Sequence, residues 1–193
     1  MAKISNRDKI LTAGLKVVLE RGYVGASVRD IVEAAGVPQG SFTNHFKSKE
    51  AFALEILDIY YDTICATMTH SLQDESLPPL KRLRTYIDST IDAIDRHNTK
   101  NGCLLGNFSA EASGHSDIIR ARLRKIYAEI QDGVQKTLKA AVKSGELSKN
   151  FKTEEMSEFI VASLQGAILL AKTRRDPGPL KNYRKILFGS ILA

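Results

Sequence analysis

The chain has 193 residues, 43% hydrophobic and 26% charged, and no apolar run reaches the 18 or so residues a helical membrane span needs. Two cysteines are too few for a disulfide framework, neither has metal-ligand spacing, and no apolar leader follows Met1-Ala2-Lys3-Ile4, so the cytoplasm is the expected compartment. The net charge of +6 is spread along the chain rather than packed into a tail, which is compatible with a nucleic-acid partner without selecting one.

The elements predicted in chain order are all helical. Ile10, Ala13, Gly14, Val17 and Val18 recur at helical spacing and give a helix over about Asn6 to Arg21, closed by Gly22. Ser27 followed three residues later by Asp30 is close to a capping box, with Asp in place of the usual Glu or Gln. The helix it opens runs to about Ala35, turns Val28, Ile31, Val32 and Ala35 inward, and is broken by Gly36. Pro38 suits the first turn of a short helix reaching His45. Ser48 caps a longer helix to about Leu72, with Phe52, Ile56, Ile59, Tyr60 and Ile64 as its inner face. Pro78-Pro79 separates it from a helix over about Leu80 to His97, and residues 98–102 form a polar loop. A less regular stretch to Ser113, long helices over 116–143 and 153–174, the break Asp176-Pro177-Gly178-Pro179 and a final amphipathic segment, Leu180 to Leu192, complete an all-α chain of nine or ten helices.

Residues 27–46 carry the informative pattern. Two short helices flank a tight turn at Gly36 above an apolar platform from the first helix, which is helix-turn-helix geometry with the second helix entering the major groove. Ile31, Val37, Phe42 and Phe46 lock the unit onto its core, while Gln39, Gly40, Ser41, Thr43, Asn44 and His45 are polar or small and are expected to face outward. Gln39, Ser41 and Asn44 can exchange hydrogen bonds with base edges, and Gly40 lets backbone approach the duplex. Ser27, Thr43, His45 and Lys49 suit phosphates, which position a protein without reading sequence, and Arg29 joins this DNA-binding set. Lys49 follows Ser48 at a helix start, where N–H groups and charge both favour a phosphate oxygen. Each residue alone is as readily a solvated side chain of a helical hairpin; the constellation points to DNA.

The stretch from Arg7 to Leu54 resembles the DNA-binding domain of TetR-family regulators, above all in Gly22-Tyr23, Ser27-Val28-Arg29-Asp30-Ile31, Ala35-Gly36-Val37, Gly40-Ser41-Phe42 and His45-Phe46-Lys47-Ser48-Lys49-Glu50. The resemblance implies a three-helix DNA-binding domain over 1–50 and a larger helical domain for effector sensing and dimerisation over 51–193. It further implies a homodimeric repressor of palindromic operator DNA, released when an effector binds or modifies the C-terminal domain. Thr43 departs from the pattern: the family usually has a tyrosine there whose hydroxyl touches a phosphate, and threonine has a shorter reach. Dimerisation is implied through the helices near 116–143 and 153–174. The second is rich in small and apolar residues (Ala162, Ser163, Gly166 and Ala167 among Phe159, Ile160, Leu164 and Leu170), a composition that also suits a monomer's core.

Cys103 stands at an expected helix start, where the partial positive charge of free N–H groups favours a thiolate. The stretch Asn101 to Glu111, with Ala171-Lys172, is similar to the matching segments of NemR-like repressors, which respond to electrophiles and oxidants through a cysteine. That similarity implies Cys103 as the sensing thiol and Lys172 as its cationic partner. By residue type alone, Cys103 is more readily a small buried side chain, and Cys65 is expected to pack. A reversible apolar effector needs no covalent step; Tyr60, Ile64, Met68, Tyr86, Leu105, Phe108, Tyr127 and Leu169 are candidates to line its pocket, or plain core. An enzyme is the remaining alternative, since His97, Cys103, Glu111 and His115 share one stretch. Nothing there supplies an orienting group or oxyanion hole, and no cofactor motif or phosphate-cradling loop is present. An enzyme has no need of the pattern at residues 27–46, and a helical interaction module without DNA binding predicts no salt-dependent affinity for duplex.

Overall fold

The computed structural model describes residues 5–96 and 99–193. Among them run α1 (Asn6–Arg21), α2 (Val28–Ala35), α3 (Gly40–His45), α4 (Lys49–Ser71), α5 (Pro79–Asp95), α6 (Leu104–Glu111), α7 (Asp117–Ser144), α8 (Thr153–Arg174) and α9 (Gly178–Ile186). A five-residue π-helical turn, Leu187–Ile191, closes the chain, and no strand occurs among the described residues. His97, placed at a helix end and among the enzyme candidates by sequence, and Asn98 lie outside the described residues. The third helix begins at Gly40 rather than Pro38, because the chain first makes a tight turn in which the Ser41 N–H reaches the Pro38 carbonyl.

By packing, the chain divides into two units. The first takes in the chain up to Tyr61 together with Leu104–Leu123; the second is Asp62–Cys103 with Arg124–Ala193. The division expected at residue 50 follows the motif, whereas packing draws the first half of α4, all of α6 and the first turns of α7 into the first unit.

In the first unit, α1 buries Ile10, Leu11, Gly14, Val17 and Val18. Gly14 matters for its missing side chain: a Cβ there would lie 2.5 Å from Phe52 Cζ and 2.9 Å from Ile31 Cγ2. Phe52 in turn closes a ring cluster with Phe42 and Phe46, with centroid separations of 5.2, 5.3 and 5.5 Å. Edge and offset packing at these distances adds to the area that the rings bury. The inner face expected for α4 holds at Phe52 and Ile56, whereas Ile59 is 37% exposed and Tyr60 and Ile64 are half-buried.

Helix α2 is short and depends on its ends. The Ser27 hydroxyl oxygen accepts from the Asp30 N–H, and Asp30 accepts from the Ser27 N–H and hydroxyl, so the capping box forms with Asp at its far position. At the other end Gly36 is left-handed (φ 62°), and the Val37 N–H returns to the Val32 carbonyl. In the second unit, Leu83, Ile87, Ile91 and Ile94 of α5, Ile126, Ile130, Val134 and Leu138 of α7, and Ile160, Leu164 and Ile168 of α8 make the core at helical spacing. Glu146 caps α5 by accepting the Leu80 N–H at 3.0 Å.

Two expectations test this packing. Gly14→Ala should destabilise the protein by about 1–3 kcal/mol, the usual cost of overpacking, read as a lowered melting temperature without loss of helical content. Asp30 is held below the ordinary carboxylate range, first by its hydrogen bonds to Ser27 and then by Arg21. A carboxylate depressed in the folded state stabilises fully above its unfolded value and loses that contribution as pH falls through the folded one. The stability gap between wild type and Asp30→Asn should therefore stay constant down to the ordinary carboxylate range and close below it, as pH-dependent melts would record.

Candidate DNA-binding face and effector-sensing residues

The ring cluster behind α3 fixes which side of that helix faces water. Gln39, Gly40, Thr43, Asn44 and His45 are exposed, and so are Ser27 and Arg29 on the preceding elements. Asn44 and Gln39 present amides with donor and acceptor side by side, the chemistry that pairs with an adenine edge. Arg29 is tied to Glu33 at 2.7 Å, which raises its pKa further. The Thr43 hydroxyl donates to the Gly40 carbonyl at 3.0 Å, so its oxygen, rather than its proton, is turned outward.

Two residues of the expected set are placed differently. Ser41 is 8% exposed and takes a 3.5 Å hydrogen bond from Asn6 Nδ2, because its position on α3 falls beside Phe42 on the side packed against α1. It does not face outward as a base reader. Lys49 is turned inward: its ammonium donates to the Tyr23 carbonyl and lies 4.6 Å over the Tyr23 ring. Burial lowers its pKa, while Glu111 and Asp30 hold it up. Lys47, which sequence reasoning passed over, is the exposed cation of that turn.

Glu111 was also missed as part of this unit's framework. Its carboxylate accepts the Val24 N–H at 3.0 Å and sits where a Gly22 Cβ would fall, 2.5 Å away, so the turn between α1 and α2 is clamped from α6. Gly22 meets two demands at once, that space and a φ of 79°. Phe108, one turn earlier on α6, stacks on Tyr23 at 5.0 Å, while Ser116 bonds to Glu50 and Arg122 to Asp58 at 2.6 Å. No local pattern signals contacts between residues so far apart in the chain.

The candidates for an apolar pocket fall in different surroundings. Leu105 and Phe108 are fully buried in the core of the first unit, held there by packing such as the Tyr23 stack. Leu169 is 63% exposed, because it lies on the face of α8 opposite Ile168 and Ala171. Tyr60 is half-buried in the first unit. Ile64 and Tyr127 are half-buried in the second, with Met68 and Tyr86 buried beside that unit's core.

Cys103 immediately precedes α6 and is buried, 6% exposed. Gln165 of α8 points its amide nitrogen at the sulfur, 3.7 Å away. The Tyr86 phenol is pushed far above its ordinary pKa, mainly by burial, then by the neighbouring Cys103 and Cys65 sulfurs, with Thr90 opposing. It therefore remains a hydrogen-bond donor at any physiological pH. Tyr183 of α9 donates to the Ile160 carbonyl at 3.1 Å. Lys172, half-buried in the last turn of α8, stands two helical turns beyond Gln165, about 10 Å along the axis. Phe159, Ala162, Gly166, Leu169 and Leu170 make a stripe along α8 that this chain leaves uncovered.

Comparison with known proteins agrees with this anatomy. Residues 10–56 match the family described as "Bacterial regulatory proteins, tetR family", and residues 79–187 match "Tetracyclin repressor-like, C-terminal domain". The chain is 38% identical over 192 residues to the HTH-type transcriptional repressor DhaR of Mycobacterium sp. (strain GP1), spanning 100% of this chain and 95% of that one. A regulatory protein TetR from Rhodobacter sphaeroides superposes with a TM-score of 0.89 at 32% identity, covering 95% of this chain and 97% of that chain. The reduced form of Escherichia coli NemR superposes with a TM-score of 0.83 at 28% identity, covering 95% and 96%. By both of its halves, the chain belongs to the TetR family, whose members are transcriptional regulators and not enzymes.

Proposed function

We propose that the chain is a homodimeric repressor that binds palindromic operator DNA through α2 and α3 and leaves it when the second unit is modified at Cys103. The observation that carries the DNA reading is the outward set Gln39, Gly40, Thr43, Asn44 and His45 on a helix locked from behind by Phe42, Phe46 and Phe52. In this reading Gln39 and Asn44 read base edges, and Arg29, His45 and Lys47 position the phosphates, while the Ser27 and Thr43 hydroxyl protons are held by Asp30 and by the Gly40 carbonyl.

Pairing through α8 is supported by its uncovered stripe, in which Phe159 is 47%, Leu170 49% and Leu169 63% exposed. Gly166 lies in the middle of that stripe, where small residues permit close helix approach. A two-fold dimer presents two recognition helices to two half-sites, which is what a palindrome requires.

Release through Cys103 is supported by its buried polar surroundings and by the 30% identity to Escherichia coli NemR over 180 residues. An electrophile with an activated C=C adds the thiol across that bond: sulfur bonds the β-carbon, the thiol proton ends on the α-carbon, and no oxidant is consumed. The bulk added at residue 103 falls at the start of α6, whose Phe108 and Glu111 grip the turn between α1 and α2. Displacing that grip reorients the recognition helix.

The test is binding to a duplex carrying the palindrome beside the protein's own gene. Wild type should bind tightly, and treatment with a mild electrophile should weaken binding roughly 5–150-fold, the usual range of an allosteric coupling. Cys103→Ser should bind equally well and ignore the treatment. If both proteins ignore it, the covalent step is wrong and a reversible ligand takes its place. If neither binds duplex at low salt, the repressor reading fails.

Three substitutions divide the remaining roles. Asn44→Ala should lose about 1–3 kcal/mol of discrimination at one base pair, seen as relaxed preference in a panel of mutated operators. A Cβ at Gly166 meets no atom within 4 Å in the single chain; Gly166→Arg should fold normally yet sediment as a monomer. Lys47→Gln should weaken all duplexes alike and lower the salt dependence of binding by about one counterion.

A further inference from the structure

We infer that the groove between α5 and the C-terminal α9 segment is a binding site for a small phosphoryl-bearing anion. The groove has a volume of about 440 Å³ and is lined by Arg84 of α5 and by Lys181, Arg184, Lys185, Phe188 and Gly189. Positions 181, 184, 185 and 188 follow at helical spacing, so one face of a single helical run carries three cations and the ring. No carboxylate lines the groove. Arg184 is paired with Asp88 at 3.3 Å. Arg84 stands 4.3 Å over the Phe188 ring, which holds its guanidinium in place. Lys181 and Lys185 have no hydrogen-bond or ion-pair partner among the described residues.

Helix electrostatics explains only part of this. Arg184 and Lys185 fall in the last turn of α9, where cations complement the helix dipole. Lys181 is a turn earlier and Arg84 belongs to another helix, so the dipole does not account for them. Four like charges around one concavity raise each other's energy, and the recess concentrates their field on an anion. Phe188 and Gly189 belong to the π-helical turn, a form that recurs at functional sites.

Size and donor type narrow the ligand. The volume is at the lower end of small-molecule sites, about 300–1,000 Å³, and exceeds what a lone phosphate fills. Two guanidiniums suit bidentate recognition of phosphoryl oxygens, and two ammoniums add point charges. A phosphate ester or diphosphate matches, and its phosphoryl chemistry is shared with a nucleic-acid backbone. Bound there, it would tie α5 to α9, the helices that carry Tyr86 and Tyr183. The site stands independently of the operator and cysteine readings.

The test is calorimetric titration of the full chain with inorganic pyrophosphate at constant ionic strength, beside the double variant Lys181→Gln/Lys185→Gln, Arg84→Gln, and Lys139→Gln as an exposed control. Wild type and the control should bind saturably. Arg84→Gln and the double variant should bind roughly tenfold more weakly or worse, because each loses a hydrogen bond to a charged group. These side chains are at least partly exposed, and unchanged melting temperatures without ligand would show that the variants fold. Absence of saturable binding to wild type overturns the proposal, as does equal binding by every variant. If pyrophosphate does not bind while the double variant loses operator affinity with a shallower salt dependence, the cations serve the DNA backbone and the small-anion site is wrong.

Discussion

The recognition side of this molecule depends on how closely α1 lets its neighbours approach. Gly14 offers no side chain, and into that space come Phe52 from α4 and Ile31 from α2. Once Phe52 is seated there, Phe42 and Phe46 pack against it, and α3 has only one orientation left. The polar face of α3 is exposed because its other face is committed to three rings. A helix of six residues has no stability of its own; here tertiary contacts replace propensity, and the direction of Asn44 and Gln39 follows from them.

The turn between α1 and α2 is the second fixed point. It holds a left-handed Gly22, a backbone N–H at Val24 accepted by Glu111, and a Tyr23 carbonyl that takes the Lys49 ammonium. Lys49 and Glu111 thus approach the same turn with opposite charges, one satisfying an acceptor and the other a donor. Leaving either backbone group unpaired would cost on the order of 1–3 kcal/mol if buried. Since α6 supplies the acidic half of this arrangement, a displaced α6 acts on the head through a defined atom pair.

The fold was largely legible in the sequence because its signals are local. The Ser27–Asp30 box, Gly22, Gly36, the Pro78-Pro79 break and helical periodicity all act within a few residues, and the helix limits follow them. The outward face of α3 was legible for the same reason, except at Ser41. One position beside Phe42, it is buried because it falls on the side of α3 packed against α1, where Asn6 reaches it. What stayed hidden depends on contacts remote in sequence. Lys49 has the motif of a phosphate ligand, and only the carbonyl of Tyr23, 26 residues away, turns it inward. Leu105, Phe108 and Leu169 are apolar at helical spacing, and spacing alone does not distinguish core, pocket and uncovered face.

Helix α8 carries three features within about 16 Å of its length. Gln165 reaches the Cys103 sulfur, Ile160 gives its carbonyl to Tyr183, and the Phe159–Leu170 stripe is open to a second copy. Gln165 and Gly166 are consecutive residues, so they point about 100° apart on the same cylinder. On the proposed reading, a group added to Cys103 has to be accommodated against Gln165, and α8 yields only by shifting or rolling, since a packed interior transmits strain instead of absorbing it. Rolling α8 moves Gly166 and Leu169, which belong to the proposed contact face. In a two-fold dimer the same displacement is imposed on both subunits through one shared interface. On that reading a modification in one chain would be felt by its partner without any separate relay, and the two recognition helices would respond as a pair.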